Sequence, residues 1–339
     1  MRVLHAPAEI AGQATVLARA LRGLGVEARS LAYNSGFPQY ASDEMRPYDA
    51  MPPLRRYAGY LASAARHLGR WDVYHFHFGR TLVPPHNPDL PLVKAMGGRV
   101  VFHYHGCDIR NRAHMLATHA RATCTECDPF CIPARQQRVL ASARRFADAQ
   151  LVSTPDLLES VPEAEHVPVA AELSDYPCAP PRGAPRLVVH APTNRLIKGT
   201  RYVEQAFEAL EPRFPDVRFV IAESLPWRDL VTLLAQADVV VDQLFMGWYG
   251  MVAVEAMALG KPVLCFIRDD FEPRLHDCPI VRCTLEDLTE RLAWALGDGD
   301  REALGGRGRD YVEREHAAPV VAARLLERYR AILGEPARA

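Results

Sequence analysis

A glycine-bearing turn and a glutamate-bearing helix follow an apolar run in the last third of the chain. The run DVVVDQL covers residues 238–244, Gly247 and Gly250 come next, and MVAVEAMAL follows. Consecutive apolar residues are typical of a strand buried on both faces of a parallel sheet. Gly250 is therefore predicted at a helix N-terminus, where the free amides of Met251 and Val252 and the helix dipole favour an anion.

A carboxylate and a lysine add to this site. Glu255 lies among small apolar residues of the same helix, so we expect it to be buried and to need hydrogen-bond donors, which ribose hydroxyls can supply. Lys198, one of only three lysines, stands between a strand and the helix start Gly199-Thr200. Together these residues predict an anion site beside a carboxylate that can bind hydroxyl groups. The simpler alternative is an ordinary strand–helix junction and a solvated loop lysine.

A second cluster consists of thiols. Four of the eight cysteines lie close together in the sequence: Cys107, Cys124, Cys127 and Cys131. Four thiols are enough for a tetrahedral structural zinc ion, and His114 or His119 can replace one of them. Four reduced cysteines, an oxidised pair and an iron–sulfur cluster are the alternatives that the residues leave open.

Composition limits the class of protein. The 339 residues are 49% hydrophobic and 24% charged, with a formal net charge of −1, which gives no indication of nucleic-acid binding. No run approaches the roughly 18 apolar residues of a membrane span, and the N-terminus lacks a signal-peptide pattern. We therefore expect a cytoplasmic protein. The arginine-rich helix PARQQRVLASARRF is either a solvated face or a peripheral contact to an anionic membrane or acceptor.

The elements that must position these residues alternate between strand and helix. RVLHAP, ATVLARALRGLG and VEARSLAY read as strand, helix and strand, the opening of a doubly wound parallel sheet. WDVYHFHF and GRVVFHYHG are two further strands, and their His75, His77 and His103 are interpreted as core or cleft residues. The Pro- and Gly-rich stretch 174–186 predicts a domain boundary, after which the alternation restarts.

Two segments resemble a known family. GWYGMVAVEAMALGKPV resembles the donor-site signature of the GT-B retaining glycosyltransferases of family 4, and HAPTNRLIKGTRYVEQAFEAL resembles the opening of their second domain. The resemblance runs in order over nearly the whole chain. It implies two Rossmann-like doubly wound domains with the active site in the cleft between them. The domains would be 1–173, with a cysteine-rich loop at 107–131, and 174–318, which binds the nucleotide-sugar; a final helix at 319–339 would cross back to the first domain.

The resemblance also implies roles for residues of the second domain. The amides of the glycine turn would hold the diphosphate, which places this role on Gly250, Met251 and Val252. The second glutamate of the signature, here Glu255, would bind ribose. In the family, an arginine and a lysine neutralise the pyrophosphate. The resemblance places these roles on Arg195 and Lys198.

In the first domain, Gly12 would belong to a glycine loop that faces the donor phosphates. HYHGCDIR resembles the family's His-Gly-x-Asp element, which places His105 near the donor sugar and Asp108 near the sugar or acceptor. The resemblance implies a catalytic set made of His105, Lys198 and Glu255. No catalytic metal is expected, because the family needs none and no Asp-x-Asp pair suited to one is present.

One position departs from the family pattern. The first glutamate of the signature, which contacts the donor sugar, is Gly247 here, and Asp242, Gln243 or Tyr249 are candidates to compensate. The expected activity is that of a hexosyltransferase-type enzyme that uses a UDP- or GDP-sugar and retains configuration. The alternatives are a non-catalytic nucleotide-sugar-binding protein and, less favoured because GxGxxG is absent, a nicotinamide-dependent oxidoreductase.

Overall fold

The computed structural model of the chain describes residues 1–34, 41–127 and 131–334. The chain divides into two compact units. The first comprises Met1–Asn111, Cys131–Ala170 and Ala318–Ala339, and the second comprises Arg112–Phe130 and Ala171–Ala317. Each unit is an α/β structure with one parallel sheet, so the predicted fold class is confirmed.

The first unit is built on a seven-stranded sheet in the order β3-β2-β1-β4-β5-β6-β7. Every pair of neighbouring strands is parallel. The strands are β1 (Arg2–Ala6), β2 (Glu27–Ala32), β3 (Glu44–Met45), β4 (Val73–His77), β5 (Arg99–Tyr104), β6 (Ala149–Val152) and β7 (Glu165–His166). All residues of β4 are buried, as expected for a central strand covered by helices on both faces.

The second unit is built on a five-stranded parallel sheet in the order β12-β11-β10-β8-β9. Its strands are β8 (Leu187–His190), β9 (Arg218–Ile221), β10 (Val239–Val241), β11 (Val263–Cys265) and β12 (Val281–Arg282). The chain passes from β8 to β9 on one side and places β10 on the other side of β8. The carboxyl ends of β8 and β10 therefore form the point where the strand order reverses.

Helices cover both sheets. In chain order they are α1 (Gln13–Gly23), α2 (Pro53–His67), α3 (Leu90–Ala95), α4 (Arg112–Thr118), α5 (Thr123–Glu126), α6 (Pro133–Phe146), α7 (Arg195–Lys198), α8 (Thr200–Leu210), α9 (Trp227–Gln236), α10 (Met251–Ala258), α11 (Leu288–Gly297), α12 (Arg301–Glu315) and α13 (Ala318–Leu333). Among the described residues, no helix is both long enough and apolar enough to cross a membrane.

The unit boundaries differ from the predicted division mainly in one segment, and by three residues and one residue at the other two junctions. The prediction placed the whole of 107–131 in the N-terminal domain, whereas Arg112–Phe130 groups with the second unit. Two ion pairs join this segment to the second unit: Arg121, just before α5, pairs with Glu286, and Glu126 of α5 pairs with Arg201 at 3.1 Å. Residues 128–130 of this loop and 335–339 of the predicted last helix lie outside the described residues.

The last helix, α13, belongs to the core of the first unit. It packs with α1 and the sheet through Ala318, Val321, Ala322, Leu325, Leu326 and Tyr329. Because burial of one Val or Leu side chain stabilises a fold by about 1.5–3 kcal/mol, this stripe makes α13 a structural part of the unit.

Candidate active site

Lys198 and the turn before α10 meet on one carboxylate in the second unit. Nζ of Lys198 lies 2.9 Å from Oδ1 of Asp242, and the backbone N–H of Gly250 donates to Oδ2 of Asp242 at 2.6 Å. A Cβ atom placed on Gly250 would lie only 2.9 Å from the lysine Nζ. The structure therefore brings together the lysine and the turn that the sequence singled out.

The sheet order explains why these residues meet. Lys198 ends α7, which follows β8, and Asp242 directly follows β10, so both come from the carboxyl ends of neighbouring strands. The crevice outside such ends, where the strand order reverses, is the usual ligand site of open α/β sheets.

Asp242 lies between the groups that the sequence assigned to a phosphate. The sequence offered it as a contact to the sugar or acceptor, but here it is 2% exposed and binds Lys198 and Gly250. The amide of Gly250, to which the resemblance assigned a diphosphate, thus already donates to a carboxylate of the chain. Met251 and Val252 are the first two residues of α10.

Glu255 is buried, as predicted, but it already has protein donors. Its Oε1 accepts a hydrogen bond from Trp227 Nε1 at 2.9 Å and one from the Tyr176 hydroxyl at 3.1 Å. Burial, only partly offset by these two donors, raises the pKa of Glu255 to about 7. The carboxyl thus changes charge near neutral pH.

The other candidates to replace the missing glutamate are occupied in the core. The hydroxyl of Tyr249 lies 2.7 Å from that of Tyr311 and 3.0 Å from Nε2 of His316. Burial raises the pKa of Tyr249 well above its ordinary value. Gln243 is also buried, and its Nε2 donates to the carbonyl of Trp248 at 2.6 Å.

Position 247 has a structural reason to be glycine. Gly247 has φ +74°, in the left-handed region, and an added Cβ would lie 2.5 Å from Cγ of Arg268. The Arg268 side chain fills the space that a larger residue would enter, and its guanidinium binds Asp270 and lies 3.1 Å from Nε2 of His119. An arginine therefore packs against the position at which the family has a carboxylate.

Arg195 begins α7, the helix that Lys198 ends, and its side chain is exposed. It pairs with Glu204, and with Glu223 at 2.7 Å. Its charge is thus already neutralised by two carboxylates of the second unit.

In the first unit, Gly12 precedes α1 with φ 78°. The N-terminus of α1 binds a carboxylate of the chain itself: Glu9 accepts from the backbone N–H of Ala14 at 3.2 Å and of Thr15 at 3.1 Å. As with Asp242 in the second unit, an acidic side chain takes the position that the dipole of a helix favours for an anion.

His105 and Asp108 lie together after β5. The carboxylate of Asp108 accepts from the backbone N–H of Gly106 at 2.7 Å and of His105 at 3.2 Å. Burial raises the pKa of Asp108 to about 6 and lowers the pKa of His105 to about 3, so the imidazole is neutral at pH 7.

Sequence reasoning missed a chain of hydrogen-bonded rings in the first unit. Its members, in order, are His103, His75, Tyr329, His5, His77 and His105. A signal was present in the two H-x-H patterns at the ends of β4 and β5, because residues two apart in a strand share a face. The strand register adds to it, since His5 is opposite His75 and His77 is opposite His103.

The cysteines divide between the units. Cys107 and Cys131 belong to the first unit, while Cys124 and Cys127 belong to the second. Cys124 is buried against Met115 and Ala122, and the carbonyl of Cys107 accepts from Gln136 Nε2 at 2.9 Å. The zinc site at these thiols stays a prediction.

A cavity of about 730 Å³ lies elsewhere in the second unit. Residues of β12, α11 and α12 line it, among them Arg282, Arg291 and Arg307. Neither Lys198 nor Gly250 borders this cavity. The candidate site is therefore the place where Lys198, Asp242 and Gly250 meet, and not the cavity.

Comparison with known proteins shows the fold. No protein-family model matches the sequence, and no curated protein matches it. The structure resembles sucrose-phosphate synthase from Thermosynechococcus elongatus, with a TM-score of 0.65 and 14% identity, over 98% of this chain and 100% of that one. It also resembles a UDP-N-acetylglucosamine 2-epimerase, with a TM-score of 0.58 and 13% identity over 100% and 99% of the two chains.

A third similar structure is the glycosyltransferase SnogD from Streptomyces nogalater. Its TM-score is 0.50 at 16% identity, over 96% of this chain and 99% of that one. Likeness at these identities shows the two-domain GT-B fold. It does not assign a reaction, because the similar proteins include both transferases and an epimerase and a single fold hosts many activities.

Proposed function

We propose that the protein transfers a sugar from a nucleoside-diphosphate-sugar to an acceptor. One observation carries the proposal: the Lys198 ammonium and the Gly250 amide converge on a single anionic group at the reversal point of the second sheet. The same positions are those at which the sequence resembles the donor site of retaining GT-B glycosyltransferases.

The chemistry of this pair suits a leaving diphosphate. An ammonium group has three donor hydrogens, so Lys198 can bind Asp242 and still donate to a phosphate oxygen. Asp242 holds the lysine beside the N-terminus of α10, and the remaining ammonium hydrogens can donate to the phosphate oxygens on which charge develops as the glycosidic bond breaks. Such preorganised groups commonly supply the largest electrostatic contribution to catalysis.

Glu255 completes the donor site in this proposal. Trp227 and Tyr176 both donate to Oε1, which fixes the carboxyl on α10 one and a half turns beyond Gly250. We assign Oε2 to a ribose hydroxyl, and we assign His105 and Asp108 to the donor sugar and acceptor. A UDP- or GDP-linked hexose and retention of configuration are the finer parts of the proposal.

The test compares two lysines that each form an ion pair with an aspartate. Lys198→Ala should lose the thermal stabilisation by nucleoside diphosphates and nearly abolish release of diphosphate from the donor, because the cation at the leaving group is gone. Lys94→Ala removes the other pair, in which Nζ lies 2.6 Å from Asp148, and should retain both properties. The measurements are a thermal-shift panel of UDP, GDP, ADP and TDP with their sugars, followed by donor turnover.

Two results would contradict the proposal. Wild-type turnover in Lys198→Ala would remove the lysine from the site, and the absence of any nucleotide-dependent shift in the wild type would remove the donor. Far-UV circular dichroism of both variants separates loss of binding from loss of fold.

A non-catalytic nucleotide-sugar binder is the second candidate, and the backbone at Gly247 favours it. Its left-handed φ and the packed Arg268 side chain leave no place for the glutamate that contacts the sugar in the family. A binder shows the nucleotide-dependent thermal shift but neither transfers nor hydrolyses any donor of the panel, whereas the proposed enzyme at least hydrolyses its donor slowly.

A further inference from the structure

The ring chain of the first unit contains three histidines that converge at the carboxyl ends of β4 and β5. One ring nitrogen each of His77, His103 and His105 lies within 4.8 Å of the other two. His77 Nδ1 and His105 Nε2 are 2.9 Å apart, and one of the two rings must supply the proton between them. The pair therefore offers two nitrogens that point at the same space.

One ring nitrogen of His103 has no hydrogen-bond partner among the described residues. His103 is 1% exposed, and its Nε2 is a buried atom without a hydrogen bond, while its Nδ1 lies 3.2 Å from His75 Nε2. A buried polar atom without a partner costs about 1–3 kcal/mol, so native structures rarely retain one that has no ligand. In the tautomer that carries its proton on Nδ1, His103 has a lone pair on Nε2 that is available to a ligand.

A second converging group exists deeper in the sheet, but its nitrogens are already paired. It consists of His5, His75 and His77. His75 binds Tyr329 and His103, and His5 binds His77 at 3.0 Å and Tyr329 at 3.4 Å. This inner group is completely buried, whereas His105 of the outer group keeps part of its surface exposed.

The hydrogen bonds behind the outer group suit a metal ion. A histidine that binds a metal normally donates its other ring N–H to an acceptor, which fixes its tautomer. Binding through His103 Nε2 leaves an Nδ1–H directed at His75, and binding through His77 Nδ1 leaves an Nε2–H directed at His5. Both lines of rings end at the hydroxyl oxygen of Tyr329, which has two lone pairs to accept them.

We propose that His77, His103 and His105 bind one divalent transition-metal ion of the zinc class. Imidazole nitrogens suit such ions, with metal–nitrogen distances of about 2.0–2.1 Å. Tetrahedral coordination then requires nitrogens about 3.3 Å apart, so the 2.9 Å pair needs to open by only a few tenths of an ångström. Three protein ligands leave the fourth position to water, on the partly exposed side of His105.

This site is separate from the zinc predicted at the cysteines, and it shares His105 with the proposed contact to the donor sugar. Its test therefore uses the double variant Cys124→Ser/Cys127→Ser, which removes two thiols of the predicted cysteine site, and it uses no nucleotide. Zn²⁺ is titrated against a chromophoric chelator, and Co²⁺ is titrated in parallel with visible and near-ultraviolet spectra. We expect one ion per chain and a cobalt spectrum without a sulfur-to-metal charge-transfer band.

Single histidine variants in the same background locate the ion. His105→Ala and His103→Leu should each weaken Zn²⁺ binding by about 100-fold or more, because each removes one of three ligands. Tyr329→Phe should weaken it by about 10-fold, the lower end of the range for outer hydrogen-bond partners. The exposed histidine variant His86→Ala is the matched control and should bind as its parent does.

Three results would overturn the proposal: no bound ion in the double-cysteine background, a thiolate-type cobalt spectrum there, or unchanged affinity in His105→Ala. Circular dichroism and thermal midpoints recorded with a chelator present show whether each variant folds. If His103→Leu does not fold, His105→Ala decides alone, because its side chain lies at the edge of the cluster.

Discussion

At the scale of single residues, acidic side chains of the chain occupy both helix ends that the sequence assigned to donor phosphates. Asp242 binds Lys198 and Gly250 in the second unit, and Glu9 binds the first turn of α1 in the first unit. Each carboxylate accepts hydrogen bonds from backbone N–H groups at a helix N-terminus, which have no acceptor within the helix itself. A diphosphate that enters the second site therefore meets a lysine already held in place.

Glu255 makes the stability of the second unit depend on pH. Its pKa is raised to about 7 by burial, from 4.5, so between pH 4.5 and 7 the folded protein binds a proton that the unfolded chain has released. Stability from this group is complete below pH 4.5 and is lost as pH rises to 7, by an amount on the order of 3 kcal/mol. Glu255→Gln keeps the acceptor for Trp227 and Tyr176 and removes the titration.

We therefore expect Glu255→Gln to match the wild type in stability at pH 5 and to exceed it at pH 8. Urea unfolding followed by tryptophan fluorescence at pH 5, 6, 7 and 8 measures the difference. Glu208→Gln, on the exposed face of α8, is the control and should follow the wild type at every pH. A difference between Glu255→Gln and wild type that stays constant from pH 5 to 8 would show that the carboxyl titrates at its ordinary value.

At the scale of elements, the two glycines of the turn between β10 and α10 meet different requirements: backbone conformation at Gly247 and space beside Lys198 at Gly250. Gly247 has a left-handed backbone, so Gly247→Ala should destabilise the protein by about 1–2 kcal/mol through the backbone alone and by more because Arg268 must move. Gly250 has φ −101°, which alanine adopts readily, and its added Cβ would displace the flexible end of Lys198 and lie 3.3 Å from Oδ2 of Asp242.

Gly250→Ala should therefore change the free energy of unfolding by less than about 1 kcal/mol while it weakens nucleoside-diphosphate binding. Denaturant unfolding and nucleotide titration of the two variants, side by side, check both halves of the prediction. Equal losses of stability in the two variants, or unchanged nucleotide affinity in Gly250→Ala, would be inconsistent with the geometry of the turn.

The elements of this turn were predictable, and their partners were not. Consecutive apolar residues in β10 and the glycines after it indicated the strand, the turn and the start of α10, and parallel neighbours bring Lys198 to the same edge. The choice of Asp242 as the anion, and of Trp227 and Tyr176 as donors to Glu255, depends on loop paths that no local pattern encodes. The ring chain shows the same limit, since the H-x-H alternation was visible but Tyr329 comes from a helix at the far end of the sequence.

At the scale of the whole molecule, the first unit is assembled from three separate stretches of chain, and the last of them supplies α13. This helix contributes apolar side chains to the core with α1, and it also carries the hydroxyl of Tyr329 to His75, 2.6 Å away. The packing of one C-terminal helix therefore positions the histidine cluster as well as stabilising the sheet.

Because α13 is part of this core, truncation of one of its buried leucines should strongly destabilise the first unit. Leu325 is 1% exposed, so Leu325→Ala removes buried methyl groups and leaves a cavity, at a cost of about 2–5 kcal/mol. Leu54→Ala, in α2 of the same unit, changes a leucine that is 85% exposed and should stay within about 0.5 kcal/mol of the wild type. Hydrogen exchange of the β1 and β4 amides reports the first unit directly and should accelerate in Leu325→Ala alone. Protection of those strands equal to that of the wild type would mean that the packing of Leu325 does not stabilise the sheet of the first unit.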